Sequence, residues 1–226
     1  MALVRLERVT KEYRLGRSTV QAVKGIDLAI EAGEFLALAG PSGSGKTTLL
    51  NLISGIERPT AGHVLVEEVD VGGLTSDQLA ELRASQIGFI FQHFNLLPVL
   101  TALENVEYPL LTRRMPAAER RRRAQEALDR VGLARFGRHK PLELSGGQMQ
   151  RVAIARAMVT DAPIVLADEP TANLDHQTGQ EILRLMKTLN QERRTTFIFS
   201  THDQKIIDLA GRVVRLWDGQ LTNHAA

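Results

Sequence analysis

"EFLALAGPSGSGKTTLLNLISG", residues 34–55, decides the fold. An apolar run of strand length ends at Gly40, a glycine-rich turn follows, and a helical pattern runs from Lys46 to about Ser54 before stopping near Gly55. The spacing Gly40-x-x-x-x-Gly45-Lys46-Thr47 is that of a phosphate-binding loop. Each part has a physical reason. A strand delivers the loop to the edge where α/β sheets bind ligands. Gly43 and Gly45 let the backbone curl so that successive N–H groups point inward. The helix start adds the positive end of its dipole. Lys46 then reaches the β- and γ-phosphates of a nucleotide, and the Thr47 hydroxyl is placed to ligate Mg²⁺. A Gly/Ser-rich turn before an ordinary helix is the alternative; the strand before and the helix after favour the phosphate site.

Outward from this loop the pattern alternates. Strands are expected at 3–10, 20–30, 34–40, 62–68, 86–91, 162–168, 195–201 and 212–219. Helices are expected at 76–84 with Ser76 as N-cap, over 101–135 with breaks near Pro109 and Pro116, and at 148–159, 177–191 and 203–210. Tyr13 sits in "EYRLG", which reads as loop. Strands alternating with helices in the second half imply parallel pairing. The expectation is therefore one α/β domain over 1–226. A β-subdomain and phosphate-loop core take 1–92 and 141–226, and a helical subdomain occupies about 93–140.

Composition narrows the class. The chain has 226 residues, 43% hydrophobic and 24% charged, with no cysteine. Disulfides, thiolate zinc sites and cysteine nucleophiles are excluded. No apolar run approaches the roughly 18 residues of a membrane span. Arg5, Glu7 and Arg8 stand where a signal peptide needs its apolar stretch, so a cytoplasmic protein is expected. Net charge is +2, a weak argument for nucleic acid, and none is expected as a partner. The basic run Arg120 to Arg123 reads as the solvated face of a helix whose other face carries Ala124, Ala127 and Leu128.

Further residues gather at predicted strand ends. "IVLADEP" closes a buried strand with Asp168, placed for the Mg²⁺ shell, and Glu169, placed to polarise a water for attack on the γ-phosphate. A surface turn after an edge strand is the alternative. His202 follows "TTFIFST", and Gln92 follows "IGFIF", in the same way. Either is unremarkable alone. A second glycine-gated helix start lies at "LSGGQ", residues 144–148.

These motifs, in this order, resemble the ATP-binding subunit of an ATP-binding-cassette (ABC) transporter, over essentially the whole chain. Within that family the likeness is to the lipoprotein-releasing and macrolide-exporting type, carried by "IGFIFQHFNLLPVLTALENVEYPL" and "LADEPTANLD". The resemblance implies an ATPase that binds ATP and Mg²⁺. It assigns Gly40, Pro41, Ser42, Gly43, Ser44, Gly45, Lys46, Thr47 and Thr48 to the phosphates, and Gln92 to both nucleotide and metal. Thr47 and Asp168 are the other metal residues. Glu169, His202 and Lys46 are the catalytic set. Tyr13 matches the aromatic that stacks on adenine, although a lone Tyr after a strand is usually packing. Ser145, Gly146, Gly147 and Gln148 are implied to act on the ATP of a second chain in a head-to-tail homodimer, with Asp175 in the loop linking the two sites. Two departures from the usual pattern are Ala172 and Met149, neither in a catalytic role.

The resemblance further implies a separately encoded membrane permease and a peripheral position on the cytoplasmic face of the cell membrane. Export or extraction from the membrane is the implied direction. "HFNLLPVL", residues 93–100, is either a docking surface for that partner or subdomain core. A cell-division ATPase signalling through a non-transporting membrane partner is the alternative function.

Overall fold

Two long strands open the chain. In β1 (Ala2–Leu15) and β2 (Ser18–Glu31) apolar residues alternate with charged ones at a period of two, which irregularities near Arg8 and Gly25 reset so that Val9 and Ile26 stay on the buried face. Val4, Leu6, Ile26 and Ile30 are fully or almost fully buried, while their neighbours meet solvent. β4 (Ala61–Val66) and β5 (Val69–Asp70) extend this into an antiparallel sheet ordered β2-β1-β4-β5. The structure is a computed structural model and describes residues 2–16 and 18–222.

The central strands of the second sheet have no polar face. β3 (Phe35–Ala39), β7 (Ile164–Ala167) and β8 (Thr196–Thr201) are buried at every position. With β6 (Ile87–Ile90), β9 (Arg212–Trp217) and β10 (Gln220–Thr222) they form the order β10-β9-β3-β8-β7-β6, parallel except for the β9–β10 hairpin. Continuous apolar runs are what a sheet covered on both sides requires. Leu36 and Leu38 point to a core shared with the first sheet, α1 (Lys46–Ile53) and α2 (Ser76–Gln86). Phe35 and Ala37 point the other way, to a core shared with α3 (Ala102–Glu107), α4 (Ala117–Arg130), α5 (Gly146–Met158) and α6 (His176–Arg193). The α/β class, the antiparallel β-subdomain, the parallel sheet and the helix-rich stretch after Gln92 all match expectation. Among the described residues no helix is long and apolar enough to cross a membrane.

Several boundaries differ, each for a local reason. Tyr13 is not in a loop: it lies in β1, paired with Val20, because the hairpin zips to Leu15↔Ser18. The N-cap of α2 is Thr75, not Ser76. Thr75 accepts from the Gln78 N–H while the Gln78 side chain accepts from the Thr75 N–H, a reciprocal box that Ser76 cannot form because Leu79 stands three residues on. The helix expected from 148 begins at Gly146, for the same reason: Ser145 and Gln148 form such a box. The helix expected at 203–210 shrinks to α7 (Gln204–Ile207). β10 was not anticipated; it closes a turn at Asp218 and Gly219, both with positive φ.

The stretch 93–100 divides between its two readings. Leu96 packs against the core, whereas Leu97 and Val99 are exposed, Val99 at 75%. Its backbone is held from both sides. Arg156 donates to the carbonyl oxygens of Phe94 and Asn95. Asn105, fully buried, accepts from the Leu97 N–H and donates to the carbonyls of Leu97, Leu100 and Thr101. The arginine run behaves as a solvated ion-pair face in part: Arg122 lies between Glu119 and Glu126. Arg123 instead reaches Asp161, which also pairs with Arg193 of α6, so one carboxylate ties α4 to α6. Asn105→Ala leaves the Leu97 N–H and the Leu100 carbonyl without a partner, while the Leu97 and Thr101 carbonyls keep backbone donors, and we expect it to cost about 2–3 kcal/mol, read as a lowered urea midpoint.

Candidate phosphate-binding site

Parallel pairing brings three strand ends to one edge. Ala39 is level with Thr201, and Ala167 with Phe199, so the residues just beyond β3, β7 and β8 emerge together. They are the glycine loop, the Asp168-Glu169 pair, and His202. A cavity of about 410 Å³ opens there, lined by Ser42 and the loop glycines, by Lys46, Thr47 and Thr48, and by Gln92, Glu169 and His202.

The loop's shape is imposed from outside. Gly45 has φ 103°, and a Cβ there would lie 2.5 Å from the Ala22 carbonyl of β2. At Gly40 a Cβ would meet the Leu216 carbonyl of β9 at 2.2 Å. Only glycine permits both approaches. The Gly219 N–H donates to the Ser44 carbonyl, bracing the loop from the β9–β10 turn. The Ser44 hydroxyl is buried with no partner in the protein, an orphan polar atom inside a cradle of N–H groups. Such a cradle fits the oxygens of a phosphate chain.

The charged groups interlock. Lys46, 6% exposed, donates from Nζ to the carbonyls of Gly40 and Pro41 and lies 3.6 Å from Glu169 Oε1. Glu169 Oε1 is also 3.0 Å from His202 Nδ1. A carboxylate only accepts, so the ring donates from Nδ1; in the neutral ring Nε2 is then a bare acceptor facing the cavity. Thr47 Oγ1 donates to Asp168 Oδ1 at 3.0 Å. Hydroxyl, carboxylate and the Gln92 amide form an all-oxygen donor set, which suits a hard divalent cation. Among the described residues no group of three or more His, Asp and Glu side chains forms a metal site on its own.

Tyr13 touches this site from the side. Its hydroxyl donates to Glu57 and lies 3.4 Å from Thr48 Oγ1. Burial, and next the bond to Glu57, raise the phenol's pKa above its usual value. Asp175 caps α6: its carboxylate takes the Thr178 hydroxyl and N–H, which hold its pKa below the ordinary range. Residues 144–148 do not line the cavity. Ser145 is exposed at the N-cap of α5, and Met149 packs its side chain against the core beneath.

Some functional neighbours were not legible in the motifs. Ala22, Leu216 and Gly219 shape the loop from far away in sequence. Gln150 of α5, fully buried, donates to the Pro170 carbonyl just beyond Glu169. Asn173 donates to the Gln92 carbonyl, joining the segments after β6 and β7. Ser200 binds both Asp168 and the Glu169 backbone. Of these Gln150, Asn173 and Ser200 stood inside or beside a motif, and Ala22, Leu216 and Gly219 did not.

Known proteins share much of this sequence and the whole fold. The family model described as "ABC transporter" matches residues 23–172. The chain is 47% identical to an ABC transporter ATP-binding protein of Methanocaldococcus jannaschii, MJ0796, covering 97% of this chain and 95% of that one. A dimeric structure of MJ0796 in a post-hydrolysis state bound to ADP and Pi superposes with TM-score 0.90, 46% identity and 97% of each chain covered. Identity is 45% to the lipoprotein-releasing system ATP-binding protein LolD 1 of Rhodopseudomonas palustris, with 97% and 98% covered. It is 47% to the macrolide export ATP-binding/permease protein MacB of Syntrophobacter fumaroxidans, of whose length this chain spans 31%. Matched by the family model over residues 23–172 and by relatives of 45–47% identity along nearly its whole length, the chain belongs to the ABC transporter family, as an ATP-binding and ATP-hydrolysing cassette.

Proposed function

We propose that two copies of the chain close head to tail over two ATP molecules and drive a separate membrane permease, for export or for extraction of a lipid-linked substrate from the membrane. One observation carries this reading. The exposed helix start at Ser145, with the N–H groups of Gly146 and Gly147, lies apart from the phosphate cavity of its own chain. A second anion-binding helix start has use only if it serves another chain's nucleotide. The dimeric assembly of MJ0796, and the LolD and MacB relatives, support it.

In this reading Lys46 and the loop N–H groups bind the β- and γ-phosphates. Thr47, Asp168 and Gln92 would hold Mg²⁺, which would offset the phosphate charge. Glu169 accepts the proton of the attacking water, and His202 holds Glu169 in place while Nε2 orients the γ-phosphate or the water. The partner's Ser145, Gly146, Gly147 and Gln148 complete the cage, and Asp175 lies in the segment that runs between the two sites. Tyr13 stacks its ring on the adenine. Residues about 93–140 act as a helical subdomain. In this reading the exposed Leu97 and Val99, shortly after Gln92, face the permease, and the cassette works at the cytoplasmic side of the cell membrane.

Glu169→Gln keeps the shape but cannot take the proton, so ATP should hold the pair shut. We expect this variant with ATP and Mg²⁺ to elute at about twice the monomer mass. A monomer with nucleotide demonstrably bound overturns the sandwich. Ser145→Arg chains should bind ATP and lose about 10²-fold or more of their hydrolysis. Mixing them with Lys46→Ala chains concentrates both lesions in one composite site and leaves the other intact. Partial recovery of turnover is expected, with crosslinking to verify that mixed pairs form. If each chain used its own loop and its own signature, mixing would restore nothing.

A further inference from the structure

Ser200 lies in β8, two residues before His202, and is wholly buried. A hydroxyl in a strand covered on both faces is costly unless bonded. Ser200 is bonded twice, both times to the pair of carboxylate residues at the end of β7. Its Oγ accepts the Glu169 N–H at 2.8 Å and donates to Asp168 Oδ1 at 2.7 Å. The roles are forced: an amide N–H can only donate, so the single hydroxyl proton goes to the carboxylate.

Both bonds act where geometry matters. Glu169 has φ 44°, in the left-handed region that a non-glycine residue occupies only when its surroundings hold it there. The Ser200 oxygen anchors that backbone through its N–H and so aims the side chain at Lys46 and His202. Asp168 Oδ1 takes two hydroxyl protons, from Ser200 and from Thr47. The carboxylate plane is thereby fixed. The Thr47 proton is committed to Asp168, so the lone pairs of its oxygen are free for a cation.

We propose that Ser200 is a positioning residue for hydrolysis, fixing the Asp168 carboxylate and the Glu169 backbone as one unit through a single hydroxyl. This rests on the reading that Asp168 and Thr47 hold Mg²⁺ and that Glu169 is the base. Ser200 touches neither nucleotide nor water in that scheme, and acts through its two neighbours.

The test uses the full chain. Ser200→Ala removes both bonds and should bind a fluorescent ATP analogue in EDTA within about threefold of the unaltered protein. Its kcat should fall about tenfold or more with the KM for ATP little changed, as expected for lost preorganisation. At saturating ATP, the Mg²⁺ concentration giving half of the thermal stabilisation should rise several-fold, a readout independent of turnover. Ser200→Thr, which keeps the hydroxyl, should recover the Mg²⁺ midpoint. A kcat within twofold of the unaltered protein and an unchanged Mg²⁺ midpoint in Ser200→Ala overturn the proposal. If the alanine variant fails to fold, the same two readouts on Ser200→Cys decide, since a thiol is the weaker partner in both bonds. The parent reading has its own failure: an unaltered protein whose stabilisation by ATP ignores Mg²⁺, or a Glu169→Gln variant that still turns over.

Discussion

The parallel register of β3, β8 and β7 is the constraint from which the site follows. Ala39 pairs with Thr201 and Ala167 with Phe199. A slip of one residue would turn every side chain to the other face. It would exchange Leu36 and Leu38 for Phe35 and Ala37 between two differently filled cores. The cores therefore lock the register, and the register sets Glu169 against both Lys46, at 3.6 Å, and His202, at 3.0 Å. Catalytic geometry is here a by-product of burying both faces of a sheet.

Around that edge the polar groups connect segments that move as separate elements in sequence. Gln150 joins the signature helix to Pro170, Asn173 joins the segment after β7 to Gln92, and Asp161 ties α4 to α6. The bond from Gln150 is buried, where an unmade hydrogen bond is expensive, so displacement of α5 is felt next to Glu169. The Asp161 ties are exposed and contribute less.

What could be read from the sequence was contiguous. The phosphate loop, the carboxylate pair and the signature turn are each encoded within a few residues, because local backbone shape needs local glycines and local N–H groups. The three helix starts show how a local signal can still be misread. Thr75-x-x-Gln78 and Ser145-x-x-Gln148 are both capping boxes in plain view, of the same kind as Thr101-x-x-Glu104, yet two of these starts were placed one and two residues late. Tyr13 was placed in a loop because hairpin pairing, not composition, carries β1 as far as Leu15. Ser200, Ala22, Leu216 and Gly219 have no sequence signature. Their roles arise from contacts across the sheet, and a serine in "TTFIFST" looks like any polar residue in a strand.

The central place of β3 bears on how the chain is made. Its hydrogen-bonding neighbours, β8 and β9, follow it by about 160 residues or more, which at ribosomal speeds of roughly 5–20 residues per second means a delay of about 10–30 seconds. Through that interval Phe35–Ala39 has emerged with neither edge paired, an apolar strand of the kind that recruits stray partners. The glycine loop beside it lacks its braces for a similar interval, since Leu216 and Gly219 follow it by about 170 residues. A nascent cassette thus lacks support for its phosphate loop until β9 and the turn after it have emerged, and truncation before Leu216 removes that support rather than trimming an edge.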